Sequence, residues 1–295
     1  TVDELLQRTD LALYQAKSAG RDTLRFYDPQ MQAAVSARAA MELDMRAGLA
    51  QSQLELYYQP QIEHGRITGA EALLRWRHPS NGFISPAQFI PLAEESGLIL
   101  PLGEWVLKSA CERLALWAQQ PGLAALSLAV NVSPRQFHQA GFVPQVLAAL
   151  AGAGADGHRL KLELTEGLLL EDVEDTIEKM GQLRAYGLGF SLDDFGTGYS
   201  SLAYLKRLPL DQLKIDQSFV HNLGVKQTDD VIVQTIIGMA RNLELDVIAE
   251  GVETAEQRDT LARYGCHYFQ GYLLGRPMPL NEIEALLGND LALLG

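Results

Sequence analysis

Polar side chains recur near the ends of successive apolar segments that have the length and composition of β-strands. Seven such segments carry them, and the residues are Glu71, Asn131, Glu163, Asp193 with Asp194, Lys214, Glu250 and Gln270. Burying charge is costly, and a strand built only for stability would carry Val, Ile or Leu at these positions. The repetition therefore predicts one shared site at which these strand ends meet.

The chemistry of this set indicates divalent cations. Five of its members are carboxylates, which cannot all be ionised at one place without cations between them: Glu71, Glu163, Asp193, Asp194 and Glu250. No His or Cys belongs to the set, and oxygen ligands of this kind favour Mg²⁺ or Mn²⁺. Adjacent aspartates allow one carboxylate to bridge two ions, an arrangement that supports attack of water on a phosphodiester. Lys214 would then orient the attacking water or offset charge on the phosphate.

The apolar segments predict the elements that position this site. We expect strands over 54–61, 68–76, 126–132, 160–165, 189–193, 212–216, 246–250 and 267–271, and helices over 101–119, 141–151, 172–186, 228–242 and 255–264. Eight strands alternating with helices over about 240 residues favour a TIM-like (β/α)8 barrel of the α/β class, whose active site lies at the carboxyl ends of the strands.

The first two strands depart from this pattern. Only the turn Glu63-His64-Gly65-Arg66 separates them, whereas a parallel crossover needs a dozen or more residues. We therefore expect the first strand to run antiparallel to the second.

Composition excludes several classes of protein. The 295 residues include 37 Asp and Glu against 24 Lys and Arg, a net charge of −13, which argues against a protein that coats DNA or RNA. Two cysteines are too few for a disulfide scaffold, which suits a reducing cytoplasm. No apolar run approaches the ~18 residues of a membrane span, and no signal peptide is evident, so we expect no membrane contact by this segment.

The first 45 residues or so differ from the rest. We expect an amphipathic helix over 9–20, a short strand-like tail at Leu24, Phe26 and Tyr27 that ends at Asp28-Pro29, and a connecting helix over 30–50. This is too little chain for a domain. Because the chain starts at Thr1 and not at Met, we expect it to be part of a longer protein.

Between residues 46 and 290 the chain resembles the EAL-domain phosphodiesterases, which hydrolyse the bacterial second messenger cyclic di-GMP. The motifs that carry the resemblance are Glu71-Ala72-Leu73-Leu74-Arg75, Tyr58-Gln59-Pro60, Asn131-Val132-Ser133, Glu163-Leu164-Thr165-Glu166, the run from Asp193-Asp194-Phe195-Gly196 to Leu202, Lys214-Ile215-Asp216, Ala249-Glu250-Gly251-Val252-Glu253-Thr254 and Gln270-Gly271-Tyr272. All of them occur in the order typical of that family.

The resemblance implies a role for each site residue. Ligands of a first metal ion would be Glu71, Asn131, Glu163 and Asp193; those of a second would be Asp193 and Asp194, with Glu250 close by. Lys214 and Gln270 would position the attacking water, and Glu250 would be a third catalytic residue. Contacts with the phosphates and guanines of the substrate would come from Gln59, Leu74, Arg75, Glu253 and Tyr272. The implied product is the linear dinucleotide 5′-pGpG, and the implied cofactors are two Mg²⁺ or Mn²⁺ ions.

A second resemblance concerns the amino terminus. The stretch from Thr9 to Lys17, with Gly20-Arg21-Asp22, resembles the last helix and strand of a GGDEF (diguanylate cyclase) domain. It implies a remnant of that domain over 1–28, a connecting helix over 29–45 and the phosphodiesterase barrel over 46–291. The parent protein would then carry upstream GGDEF and sensory domains, act in the cytoplasm, and could itself be membrane-anchored.

The segment after Asp194 suggests a means of control. Gly196, Thr197, Gly198 and the hydroxyl residues that follow predict a mobile loop that decides whether Asp194 reaches the second ion. In the family this loop lies near a two-fold interface, so the resemblance implies a homodimer. We expect Glu166 to anchor the loop through hydrogen bonds to its backbone amides or hydroxyls.

Other interpretations of the same residues remain open at this point. Lys214 could pair with Asp216, and Glu166 could be solvated. The whole chain could be a receptor that binds the nucleotide without cleaving it, although every expected ligand position is filled. It could also be a one-metal barrel enzyme acting on a carbon acid, with Lys214 as its base.

Overall fold

The structure is a computed structural model, and it describes residues 1–18, 24, 26–170, 172–196 and 202–288. The chain divides into two compact units. Residues 1–54 and 76–98 form the first, and residues 55–75 and 99–295 form the second.

The described residues form nine strands and twelve α-helices. The strands are β1 (Leu54–Glu63), β2 (Arg66–His78), β3 (Gly82–Ile84), β4 (Ser127–Val132), β5 (Leu160–Thr165), β6 (Gly189–Phe195), β7 (Gln212–Ile215), β8 (Asp246–Ala249) and β9 (Tyr268–Phe269). The helices are α1 (Val2–Ser18), α2 (Pro29–Ala50), α3 (Pro86–Ser96), α4 (Ile99–Trp117), α5 (Pro134–Phe137), α6 (Phe142–Ala153), α7 (Val173–Arg184), α8 (Leu202–Leu205), α9 (Gln217–His221), α10 (Gln227–Asn242), α11 (Ala255–Tyr264) and α12 (Leu280–Gly288). Two 3-10 helices cover Gly157–Arg159 and Glu166–Leu170.

Eight of the described strands close a barrel in the order β1-β9-β8-β7-β6-β5-β4-β2, and β2 pairs again with β1. Every pair from β2 through β4 to β9 is parallel, whereas β1 is antiparallel to β9. The eight strands predicted from the sequence are these eight. The TIM-like (β/α)8 barrel is confirmed, and so is its antiparallel first strand.

A tight turn explains why β1 runs against the other strands. His64 and Gly65 join β1 to β2, and their φ angles are 47° and 79°. Positive φ at both central residues is the signature of a type I′ turn, whose twist matches that of an antiparallel hairpin. The two-residue connection therefore forces β1 to fold back along β2.

Alternation along the parallel strands separates an apolar outer face from a polar interior. Leu162, Leu164, Leu192, Leu213 and Ile215 are fully buried and belong to the hydrophobic core. The residues between them are polar and meet one another across the barrel: Lys161 bonds to Gln212, Ser191 to Gln212, and Lys214 to Glu163. Because side chains alternate between faces of a strand, one register places every polar group inside.

The first unit contains α1, α2, β3, α3 and the end of β2. Asp28 caps α2 by accepting a hydrogen bond from the Gln30 amide at 2.9 Å, and Pro29 occupies the first turn, where its missing N–H is not needed. Trp76 is fully buried in this unit and packs edge-on against Phe89, with ring centroids 5.8 Å apart. The connecting helix expected over 30–50 is thus α2, extended by one residue.

Two expectations for the amino-terminal segment differ from the structure. The helix expected over 9–20 begins earlier, at Val2, and residues 19 and 20 lie outside the described part. The prediction of a strand-like tail was wrong for the described residues Leu24, Phe26 and Tyr27, which form no strand. A strand needs a partner for its backbone groups, and no described strand pairs with this segment.

The sequence interpretation also missed β3, α3, α12 and the short helices after β4, β6 and β7. Short helices give too few turns for a periodic pattern to be visible.

Within the described residues, no helix is both long and apolar enough to span a membrane.

The close pairing of β2 with β4 gives a first testable prediction. Gly69 lies opposite Ser127, and a Cβ on Gly69 would stand 2.6 Å from the Ser127 carbonyl oxygen. We expect Gly69→Ala to force the strands apart and to lower the free energy of unfolding by about 1–3 kcal/mol in urea titrations. Gly238→Ala in α10 is the control, because no atom outside the backbone of its own helix lies within 4 Å of the position that its new methyl group would take. Equal stability of the two variants would contradict the prediction.

Candidate active site

A pocket of about 490 Å³ opens at the carboxyl ends of the barrel strands. It lies wholly within the second unit. Most of the side chains that the sequence assigned to the site line it: Gln59, Glu71, Arg75, Asn131, Asp193, Lys214, Glu250, Glu253, Gln270 and Tyr272. The prediction that these strand ends meet at one place is therefore consistent with the fold.

Lys214 occupies the centre of the acidic residues at the pocket floor. Its Nζ lies 2.6 Å from Glu163 Oε2, 2.6 Å from Glu250 Oε1, 3.2 Å from Asp193 Oδ1 and 3.7 Å from Glu71 Oε2. Only 1% of the lysine side chain is exposed, and Glu163 is fully enclosed. A buried cation is tolerated only when paired, and four carboxylates provide that pairing here.

The same crowding sets the protonation of each group. Burial alone would lower the pKa of Lys214, but the surrounding carboxylates outweigh it and hold that pKa well above its usual value. Burial raises the pKa of Glu163 well above its usual range, and the neighbouring carboxylates add to this. Burial likewise raises the pKa of Glu250 to about 8. One ammonium group therefore does not balance the charge of four carboxylates. The excess negative charge is reduced because Glu163 and Glu250 retain their protons to higher pH than usual.

Glu71 behaves differently because amides hold it. Asn131 Nδ2 donates to Glu71 Oε1 at 2.5 Å, and Gln270 Nε2 donates to Glu71 Oε2 at 2.5 Å. Burial pushes the pKa of Glu71 up, but Lys214 and these two amides outweigh it, and the net pKa lies below its usual value. Glu71 is thus a carboxylate that its hydrogen-bond partners keep ionised.

A distortion at the end of β6 turns two adjacent aspartates toward one place. In a regular strand, neighbouring side chains point to opposite faces. The β6–β7 register shifts between Leu192 and Phe195, and Asp194 has a left-handed φ of 54°. As a result, carboxylate oxygens of Asp193, Asp194 and Glu250 lie within 4.8 Å of one another. Burial raises the pKa of Asp194, and the adjacent Asp193 adds to this.

The residues present fit a hard divalent cation. Three carboxylates converge within ligand-bridging distance, and all of the donors are oxygen. Glu163 Oε1 is also buried, and no donor among the described residues reaches it. A buried carboxylate oxygen without a partner is costly, which is the condition that a bound cation relieves.

The wall of the pocket carries groups suited to a planar anionic ligand. The Arg75 guanidinium lies 5.5 Å from the centre of the Tyr57 ring, and Arg276 lies 4.2 Å from that of Tyr272, which is half exposed. Burial lowers the pKa of Arg75 while leaving it a cation at neutral pH. Exposed aromatic faces and guanidinium groups can contact bases and phosphates respectively.

The side chains that follow Glu71 on β2 alternate between the pocket and the core. Leu73 and Arg75 line the pocket, whereas Leu74 packs against the hydrophobic core. Strand geometry requires this, since residues 71, 73 and 75 share one face. A contact between Leu74 and a substrate stays a prediction.

The structure separates two of the open interpretations. Asp216 caps α9 by accepting from the Ser218 amide at 3.0 Å, and Lys214 pairs instead with the acids of the pocket. Glu166 is 5% exposed and begins the 3-10 helix after β5, so it is not a solvated side chain. Residues 197–201 of the predicted loop lie outside the described residues, and the anchoring role of Glu166 stays a prediction.

Several residues of the site were not found from the sequence. Leu73, Gln217, Gly251 and Pro277 also line the pocket, and Gln61 lies just beneath it, hydrogen-bonded to Gln270. Gln61 could have been found from the sequence, because it lies two residues after Gln59 and therefore on the same face of β1. For Gln217 none was visible, since only the turn after β7 brings it to the pocket.

Comparison with known proteins relates the chain to one family. The EAL domain family matches residues 42–277. The chain is 45% identical over 287 residues to a protein of Pseudomonas aeruginosa named bifunctional diguanylate cyclase/cyclic di-GMP phosphodiesterase MucR, a match that covers 97% of this chain and 42% of MucR. It is 44% identical over 287 residues to cyclic di-GMP phosphodiesterase NbdA of the same organism, covering 97% of this chain and 36% of NbdA. The chain therefore spans less than half the length of both relatives.

Solved structures agree with this relationship. The phosphodiesterase part of MucR, in complex with c-di-GMP, is 46% identical and superposes with a TM-score of 0.80 over 83% of this chain and 99% of that one. The EAL enzyme Bd1971, with cAMP and cyclic di-GMP bound, is 31% identical and superposes with a TM-score of 0.83 over 97% of this chain and 76% of its own.

The crowding of acids predicts how stability depends on pH. A carboxyl group with a higher pKa in the folded protein than in the unfolded chain, where it is about 4.3, contributes its full stabilisation below that unfolded-chain pKa. The contribution is lost as the pH rises to the pKa of the group in the folded protein. For Glu250 that value is about 8. We expect the free energy of unfolding of the EDTA-treated protein to fall by about 1–3 kcal/mol between pH 5 and pH 8.

Urea titrations at each pH would measure this fall, and Glu250→Gln is the matched variant. It keeps the shape of the side chain but cannot ionise, so its stability should depend less on pH. Mg²⁺ should restore stability at pH 8 more than at pH 5, because cations favour the ionised carboxylates. A wild-type protein and a Glu250→Gln variant with the same pH dependence would contradict this account.

Proposed function

The chain belongs to the EAL domain family, and on this premise we propose that its pocket hydrolyses cyclic di-GMP to the linear dinucleotide 5′-pGpG. The observation that carries the proposal is the ring of four carboxylates around Lys214 at the floor of the pocket. Such a cluster suits the hydrolysis of a phosphodiester and has no use in packing. The names of MucR and NbdA, both phosphodiesterases of cyclic di-GMP, support it.

Two Mg²⁺ or Mn²⁺ ions are part of this proposal. Glu71, Asn131, Glu163 and Asp193 would hold the first, and Asp193 with Asp194 the second, with Glu250 close by. When bound, such ions supply an activated water and neutralise charge on the phosphate. The convergence of Asp193, Asp194 and Glu250 and the buried Oε1 of Glu163 support this assignment.

The chain's own residues then have distinct tasks. Lys214 keeps its proton, so it can orient the attacking water and offset charge that develops on the phosphate. Gln270, 4% exposed beside Glu71, is the second residue that we assign to the water. The water oxygen forms a bond to phosphorus and gives up a proton, the bond from phosphorus to O3′ breaks, and O3′ takes up a proton, because the product keeps its phosphate on the 5′ side. Gln59, Leu74, Arg75, Glu253 and Tyr272 are proposed to hold the phosphates and guanines.

The proposal extends to the setting of the domain. We place a GGDEF remnant over 1–28, a connecting helix over 29–45 and the catalytic barrel over 46–291, in a cytoplasmic parent protein with upstream GGDEF and sensory domains. We also propose that the chain forms a homodimer, and that Glu166 anchors the loop through which the dimer influences Asp194. The large size of MucR relative to this chain supports a multidomain parent.

Hydrolysis and its dependence on metal are tested directly. We expect the chain to convert cyclic di-GMP to pGpG with Mg²⁺ or Mn²⁺, to lose activity in EDTA, and to be inhibited by Ca²⁺, which prefers longer bonds and more ligands. Chromatography of the nucleotides would follow the reaction. Full activity in EDTA would contradict the assignment of the metal ions, and binding without turnover would identify a receptor instead.

Substitutions separate the tasks of the charged residues. We expect Asp193→Ala to abolish turnover, and Lys214→Ala to lower kcat about 100-fold or more while cyclic di-GMP still binds. Lys161→Ala is the control, since Lys161 is a part-buried lysine near the opposite end of the barrel that donates to Gln212. Steady-state kinetics and calorimetric binding would measure both quantities. A Lys214→Ala variant that turns over at the wild-type rate would remove Lys214 from the mechanism.

A further inference from the structure

We propose that Gln61 is a positioning residue, which fixes the amide of Gln270 so that its nitrogen faces Glu71. This inference rests on the proposed function, because it gives Gln61 a part in preparing the same site. Gln61 is 1% exposed and does not line the pocket, so it acts only through its neighbour. Its Nε2 donates to Gln270 Oε1 at 3.0 Å.

The antiparallel first strand brings the two glutamines together. β1 pairs with β9 in a register that joins Ile62 to Phe269 and Glu63 to Tyr268. The same register, continued by one residue, places Gln61 opposite Gln270. Side chains directly opposite in an antiparallel pair are close enough to interact. A parallel first strand would present a different set of residues at this position.

Donor and acceptor requirements make the contact directional. A glutamine amide has one end that donates and one that accepts, and the two ends have almost the same shape. Both oxygens of Glu71 accept hydrogen bonds from amide nitrogens, Oε1 from Asn131 and Oε2 from Gln270. Gln270 must therefore turn Nε2 toward Glu71, and its Oε1 then requires a donor on the other side. Gln61 is that donor.

Both N–H groups of Gln270 are engaged in this arrangement, and its Oε1 keeps one free acceptor position for the attacking water. Its Nε2 donates to Glu71 Oε2 at 2.5 Å and to Gln59 Oε1 at 3.0 Å, while Gln59 Nε2 donates to the Gly275 carbonyl at 3.1 Å. Without Gln61, the buried Oε1 of Gln270 would lose its partner, and the amide could rotate to place an oxygen against the Glu71 carboxylate. Two oxygens facing each other repel, so Glu71 would be displaced from the position in which it meets Lys214 and Asn131.

The test is Gln61→Met, which keeps the length of the side chain and removes its donor. Partners that orient a metal ligand typically contribute about 10–100-fold to affinity or activity. We expect Gln61→Met to weaken Mn²⁺ binding by about 10-fold in calorimetric titrations without substrate. We expect kcat to fall by a similar factor while KM for cyclic di-GMP stays unchanged, because Gln61 does not line the pocket.

Two further variants separate positioning from general stability. Gln212→Met removes another buried glutamine of the barrel, one that accepts from Lys161 and Ser191; its melting temperature should fall as in Gln61→Met, but Mn²⁺ affinity should not change. In a Gln270→Ala background, Gln61→Met should change Mn²⁺ affinity by less than about twofold, since the residue through which it acts is gone.

Each outcome decides between the two claims. Wild-type Mn²⁺ affinity in Gln61→Met, or a loss of affinity that persists in Gln270→Ala, overturns the role of Gln61. A wild-type chain that binds Mn²⁺ but leaves cyclic di-GMP intact overturns the proposed function alone. The Mn²⁺ titrations of Gln61→Met then still test whether Gln61 positions Gln270. A wild-type chain that binds neither Mn²⁺ nor Mg²⁺ overturns both.

Discussion

The interaction on which this structure depends is the contact of one buried ammonium with four carboxylates. Lys214 approaches Glu163 and Glu250 at 2.6 Å in the interior of a barrel, where neither sign of charge would be stable alone. The balance is incomplete, as the raised pKa values of Glu163 and Glu250 indicate. The remaining negative charge gives the pocket its attraction for cations and makes the hydrogen-bonding groups around it necessary.

Strand geometry produces this concentration of charge. In parallel strands with matched register, residues at equivalent heights meet, so Asn131 lies beside Glu163 and Thr165 beside Asp193. Two departures from regularity add groups that a uniform barrel would not supply. The register shift in β6 turns Asp194 toward Asp193 and Glu250, and the reversed β1 supplies the amides of Gln59 and Gln61.

Apolar side chains on the outer face of the barrel strands supply the stabilisation that the polar interior of the barrel lacks. Residues such as Leu162, Leu192 and Leu213 are fully buried between the strands and the surrounding helices. Burial of this outer face supplies the apolar stabilisation that the interior, filled with charges and amides, cannot supply. The division allows the mouth of the barrel to carry strained and charged groups, such as Asp194 with its positive φ, while the helices hold the strands in place.

The barrel, the reversed first strand and the set of polar strand ends could all be predicted from the amino-acid sequence, because alternation and turn length are local properties of the chain. His64-Gly65 is too short to allow any connection except a hairpin. The partners of these groups, in contrast, are known only from the three-dimensional fold. It paired Lys214 with Glu163 and not with Asp216, turned Leu73 into the pocket in place of Leu74, and set Gln61 against Gln270. Such contacts join residues up to 209 positions apart, and they depend on register between strands that no local pattern encodes.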